Sequence, residues 1–99
     1  MREYKLKKAA TKEELEEVLK KYFGSFEFDG EYYVVKNFGA IEELRMKVEK
    51  RKLFVESRTK IVDNESSIKT LKTYNNFLEE FTGYSAKERM KMLMREVDV

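Results

Sequence analysis

Apolar and charged positions alternate through residues 40–59, and the other elements of the chain are arranged around this stretch. Leu44, Met46 and Val48 alternate with Arg45, Lys47 and Glu49, which makes one face apolar and the other charged. After Lys50-Arg51-Lys52 the alternation resumes, with Leu53 and Val55 on one face and Phe54, Glu56 and Arg58 on the other. The pattern predicts two paired strands joined by a basic turn. Such a pair cannot bury its apolar face alone and needs a helix laid across it.

The flanking pattern supplies those helices. Glu3–Lys8 alternates Tyr4 and Leu6 with charges, as a short edge strand does, and its lysines discourage edge-to-edge pairing. Thr11-Lys12-Glu13-Glu14 reads as a capping box, and Leu15, Val18, Leu19 and Tyr22 follow at helical spacing up to Gly24. A helix over 12–23 is predicted. Phe26–Phe28 and Glu31–Lys36 flank Asp29-Gly30, a pair favoured in type I′ hairpin turns. Asn37-Phe38-Gly39 then breaks the strand as a turn or bulge. Asp63–Ser67 is rich in capping residues and opens the longest helix, whose stripe is Ile68, Leu71, Tyr74, Leu78 and Phe81, with Gly83 at its end. Ser85-Ala86-Lys87-Glu88 is a second capping box. In the helix it starts, Met90, Leu93, Met94 and Val97 face one way, with Lys87, Arg89, Lys91 and Arg95 on the remaining surface.

The predicted fold is therefore one α+β domain over residues 1–99. It holds an antiparallel meander of four or five strands, with helices packed on one face. Its core is Leu15, Val18, Leu19, Leu44, Met46, Val48, Leu53, Val55, Leu71 and Leu78. The order helix, four-strand meander, helix resembles one half of a TATA-binding-protein-like repeat, a likeness of fold that implies no function.

The run Tyr74–Arg89, YNNFLEEFTGYSAKER, resembles the closing signature of a small uncharacterised archaeal protein family. The basic N-terminus, the Asp-Gly hairpin and the strand pair resemble that family's layout. The resemblance implies an archaeal, cytoplasmic protein and brings no activity, cofactor or functional residue with it.

Composition narrows the chemistry. Charged residues make up 40% of the chain, against about 25% in ordinary soluble proteins. This lysine- and glutamate-rich balance fits a protein from a hot-living organism. There is no cysteine, hence no disulfide or thiol chemistry, and no histidine. Classical zinc sites and Ser-His or Cys-His triads therefore cannot be built from this chain. No apolar run approaches the roughly 18 residues of a membrane span. The expectation is a cytoplasmic protein with no membrane partner, no cofactor, no metal and no catalytic residues.

The remaining candidates each have a plain structural explanation. Glu13, Glu14, Glu16 and Glu17 read as an exposed helix face laced with ion pairs rather than as metal ligands. Tyr32, Tyr33 and Tyr74 have no recognisable partner that would tune them for acid–base work, so packing is expected of them. The four glycines are isolated and form no phosphate loop.

Charge distribution supplies the one functional candidate. The net charge is only +2, but residues 43–60 hold seven Lys/Arg against three Glu, while residues 25–42 hold one Lys against four acids. The sheet is thus expected to have a basic end and an acidic end. Arg45, Lys47, Lys50, Arg51, Lys52 and Arg58, with Phe54 among them, form a strand-pair surface able to hold phosphates and stack a base. The expected function is a non-enzymatic binding module that contacts nucleic acid or a partner protein there. The alternative is a homo-oligomeric structural domain, a homodimer in its simplest form, that covers Phe54 or docks its last helix.

Overall fold

A computed structural model describes the backbone of residues 2–97 and the side chains of residues 2–91. The elements in chain order are β1 (Arg2–Lys5), α1 (Lys12–Phe23), β2 (Glu27–Phe28), β3 (Tyr33–Phe38), β4 (Ile41–Glu49), β5 (Lys52–Thr59), α2 (Asn64–Thr82) and α3 (Ala86–Val97). The strands form one antiparallel sheet in the order β1-β5-β4-β3-β2. The α+β meander read from the pattern is present, and the N-terminal strand makes the fifth member by pairing with the last one.

Local chemistry sets the element ends. Thr11 accepts a hydrogen bond from the Glu14 amide at 3.2 Å, and Gly24 closes α1. Asp63 caps α2 by accepting from the Ser66 amide at 3.0 Å. Ser85 and Glu88 complete a reciprocal capping box at the start of α3, the Glu88 amide donating to the Ser85 hydroxyl and the Ser85 amide to the Glu88 carboxylate.

The Asp29-Gly30 turn differs from the predicted type I′ form. Gly30 takes a positive φ of 102° but Asp29 does not, so only one of the two left-handed positions is filled. Instead Asp29 Oδ1 accepts from the amides of Glu31 and Tyr32 at 3.0 and 2.7 Å. A side chain takes the place of backbone turn geometry. These amide bonds, with the Arg45 guanidinium behind them, hold the Asp29 carboxyl below the usual carboxylate range. A depressed folded-state pKa adds stability that is fully present above the ordinary carboxylate pKa. That stability is lost as pH falls through the depressed value. The protection of the Glu31 and Tyr32 amides, taken relative to their intrinsic exchange rates, should therefore fall selectively in acid. Asp29→Asn should keep the turn but lose the pH dependence. Equal acid responses in the two proteins would refute the assignment.

Leu44, Met46, Val48, Leu53 and Val55 all face the helices and are buried, in the register that the alternation predicts. Leu15 and Leu19 of α1 and Leu78 of α2 join them, with Val18 packed at the margin. Leu71 is a correction. It is 60% exposed, and Ile68 is 59% exposed. The arc of α2 that is buried runs through Thr70, Phe77, Leu78 and Thr82. The reason is α1, which claims one flank of α2: Tyr22 and Phe23 pack edge-on against Phe77, and Lys21 pairs with Glu80 at 2.6 Å. That contact rotates α2 about its axis and turns Ile68 and Leu71 outward.

The last helix is corrected in the same sense. Arg89, expected on the polar surface, is 7% exposed, whereas Met90 of the expected apolar stripe is 65% exposed. Arg89 Nη1 donates to the part-buried Tyr84 carbonyl at 2.7 Å at the α2–α3 corner. Leu93, Met94 and Val97 lie outside the residues whose side chains are described.

Candidate functional site

The structure divides the seven residues of the predicted basic surface into two groups. Arg45, Lys47 and Arg58 lie on the outer face of the sheet, where each meets a carboxylate. Arg45 pairs with Asp29 at 2.9 Å, Lys47 with Glu31 at 3.3 Å and Glu49 at 3.4 Å, and Arg58 with Glu43 at 3.3 Å. Lys36 joins them by pairing with Glu27 at 3.6 Å. Hydrogen bonding to Glu31 is the main cause that raises the Lys47 ammonium above the ordinary lysine value. The acidic stretch 25–42 thus folds beside the basic strand pair and, together with Glu43 and Glu49, neutralises this part of it. The expected separation into a basic and an acidic end does not extend to this face.

The flat face is also capped in part by its own cations. Phe54 is half-buried, with the Lys47 ammonium 5.5 Å from its ring centre. Tyr32 carries Arg45 and Lys47 at 5.1 and 5.3 Å. These contacts leave little of the row able to take an external phosphate.

Lys50, Arg51, Lys52 and Phe54 are placed differently. They line a cleft of about 880 Å³ at the tip of the β4–β5 hairpin, together with Lys5, Leu6, Glu49 and Tyr84. Its construction follows from backbone bonds. β4 and β5 are joined by Lys50-Arg51 alone, with Lys50 in the left-handed region at φ 53°. Residues 6–10 leave β1 and bind to this tip: the Leu6 amide donates to the Arg51 carbonyl at 2.8 Å and the Ala10 amide to the Lys50 carbonyl at 3.1 Å. The predicted strand over residues 3–8 ends early at Lys5 because these bonds take the backbone away from the sheet. Arg51 Nη2 donates to the Lys7 carbonyl at 2.7 Å, and the Lys7 amide donates to the Thr82 carbonyl at 3.0 Å. The hairpin tip, the N-terminal segment and the end of α2 are thereby tied into one corner.

Four cations and one carboxylate line this cleft, with two aromatic rings. Lys5 and Lys52 are direct cross-strand partners, and like charges in such positions repel. Glu3 lies 2.9 Å from Lys52. Among the described residues no carboxylate is ion-paired with Lys50 or Arg51. Lys7 adds a further ammonium 5.2 Å from the Tyr84 ring centre. An anion entering here meets the charges of Lys50 and Arg51 beside Leu6 and two aromatic rings.

Sequence reasoning missed Lys5, Lys7 and Tyr84 as members of this corner. The usable signal was a second short basic run, Lys5–Lys8, beside a strand with no assigned neighbour. Only the pairing of β1 with β5 brings the two runs together.

The other polar cluster lies on the helix side, where Arg2 Nη1 donates to the Tyr4 hydroxyl at 3.3 Å and Tyr4 adjoins Tyr74. Burial, and then the neighbouring Tyr4, push the Tyr74 hydroxyl well above the ordinary tyrosine value. A phenol held so firmly protonated is a poor proton acceptor near neutral pH. Among the described residues no three acidic side chains converge to hold a metal ion. No helix among them is long and apolar enough to cross a membrane.

Comparison with known proteins places this architecture in a family. A domain of unknown function, DUF5611, matches residues 1–95. The chain belongs to the DUF5611 family. A hypothetical protein, TA0095 from the archaeon Thermoplasma acidophilum, has an NMR solution structure similar to this DUF5611 chain. The two share 33% identity and a TM-score of 0.62, over 94% of this chain and 97% of that one. No curated protein matches the sequence.

Proposed function

We infer that this DUF5611 protein is an archaeal, cytoplasmic, non-enzymatic binding module that holds a single-stranded nucleic acid at the hairpin-tip cleft. The observation that carries the reading is the imbalance in the cleft. Among the described residues Lys50 and Arg51 have no ion-paired carboxylate, and they lie beside Phe54 and Tyr84, while cations of the flat face have carboxylate partners. Unpaired strands suit such a site, because their bases are free to stack on aromatic side chains while cations follow the phosphates.

The test is a fluorescence-anisotropy titration with labelled single- and double-stranded DNA and RNA at low salt. Single strands should bind without marked sequence preference, and affinity should fall steeply with salt. Each phosphate contact removed should lower the slope by about one. The double variant Lys50→Glu, Arg51→Glu should abolish binding, whereas Arg45→Glu on the neutralised face should change it little. Circular dichroism establishes that both variants fold. The absence of binding at tens of micromolar protein, within the ordinary range of non-specific affinities of about 10⁻⁴–10⁻⁶ M, would refute the reading. So would equal losses in the cleft and flat-face variants.

A further inference from the structure

We propose that the strand held at the hairpin-tip cleft continues across the α2–α3 corner onto the exposed face of α3, so that the ligand is an extended single strand rather than a mononucleotide. The proposal rests on the nucleic-acid reading of the cleft and adds four lysines to it: Lys7, Lys8, Lys87 and Lys91.

Backbone bonds make the surface continuous. Tyr84 lines the cleft and also stands one position before Ser85, which caps α3. Lys7 reaches the same point from the N-terminal segment. Its amide donates to the Thr82 carbonyl at 3.0 Å, and its carbonyl accepts from Arg51 Nη2 at 2.7 Å. Its side-chain stem crosses Gly83, 3.1 Å from where a Cβ would stand. The Lys7 ammonium thereby comes to 5.2 Å from the Tyr84 ring centre. Lys8 follows, before the Ala10 amide returns the chain to the Lys50 carbonyl at 3.1 Å.

Burial sets which face of α3 adjoins solvent. Arg89 is buried and donates to the Tyr84 carbonyl at 2.7 Å. Lys87 and Lys91 stand two residues before and after it, about 200° round the helix in each direction, and both are exposed. Four residues apart, they are neighbours on one face.

The charge on this surface is one-sided. Among the described residues, no carboxylate is ion-paired with Lys7, Lys8, Lys87 or Lys91. Glu88, the acid on this stretch of α3, is engaged in the Ser85 capping box. Those bonds hold its carboxyl below the usual carboxylate range, with Lys7 and Lys91 adding to them. Both ammonium groups therefore lie on the Glu88 side of the corner. A mononucleotide would be satisfied within the cleft and would have no use for this row. A strand carries a phosphate at every nucleotide, so its contacts can follow the row away from the cleft.

The test is anisotropy with labelled oligothymidylates of about 4 to 16 nucleotides, each over a salt series. For the wild-type chain, the long strands should show a steeper salt dependence than the shortest. The double variant Lys87→Gln, Lys91→Gln should lower the slope for long strands by about one per lysine and leave the shortest strand unaffected. Lys20→Gln, Lys72→Gln, at exposed positions of α1 and α2, makes the same change in net charge and should alter neither slope. Circular dichroism establishes that both variants fold. In amide NMR spectra, the long strand should shift the Lys87 and Glu88 signals, and thymidine monophosphate should not. A long-strand slope that the α3 variant leaves unchanged overturns the track and leaves the cleft in place. So does an equal loss in the α1–α2 variant, or thymidine monophosphate binding as tightly as the long strand. A wild-type chain that binds no strand refutes the nucleic-acid reading, and the track with it.

Discussion

Phe77→Ala is expected to destabilise the protein by roughly 3–5 kcal/mol, the range for a large aromatic removed from a closed core. Phe77 is fully buried and lies where α1, α2 and the sheet meet. Its ring packs edge-on against Tyr22 and Phe23 at 6.4 and 5.4 Å and stacks on Phe81 at 6.0 Å. Removing it leaves a cavity bounded by three rings that rigid elements hold apart, so collapse recovers little of the loss. Leu71→Ala is the matched comparison. A stripe read at helical spacing assigns it to the core, yet its side chain is mostly in solvent. The cost there should stay within about 0.5 kcal/mol, as for surface changes in general. Urea denaturation of both variants measures the contrast. Similar midpoints for the two would mean that α2 is rotated differently from the arrangement described.

Gly39→Ala should cost about 2–5 kcal/mol, by two additive effects. Gly39 has φ 53°, a region that costs an L-residue with a Cβ roughly 1–2 kcal/mol. A Cβ there would also collide with the Thr70 hydroxyl of α2. That hydroxyl accepts from the Ala40 amide at 2.9 Å and donates to the Ser66 carbonyl at 2.7 Å. Displacing it leaves the part-buried Ala40 amide without its partner, a loss of about 1–3 kcal/mol. Thr70→Ala loses the hydrogen bond but not the backbone conformation and should fall below Gly39→Ala. The pair Gly39→Ala, Thr70→Ala should then be less destabilised than the sum of the singles, because the collision disappears with the hydroxyl. Strict additivity in chemical denaturation would show that steric contact contributes nothing.

Such close approaches explain which parts of the protein are legible in one dimension. Contacts between near neighbours are written in spacing alone. Thr11 to Gly24 bounds α1 because capping and termination act within one turn. The alternation from Leu44 to Val55 assigns every side chain of the strand pair to a face, since a strand has a period of two. Ser85 and Glu88 form their box for the same local reason. The α+β class and the meander follow from these signals together.

Rotation of α2 was not legible, because its own stripe admits several buried arcs and the choice belongs to α1. Burial of Arg89 depended on a carbonyl at the helix corner that no periodicity announces. The basic surface is the clearest instance. Arg45, Lys47 and Arg58 are cations in any reading of the chain, and their clustering along it is genuine. Whether they remain available depends on which carboxylates the sheet register sets beside them, and Coulomb interactions act through space rather than along the sequence. The sequence by itself determined the elements, the faces of the strand pair and of α1, and the absence of thiol and imidazole chemistry. The tertiary structure alone decided which cations gather in one corner, because β1 crosses to β5 and carries Lys5 to the hairpin tip.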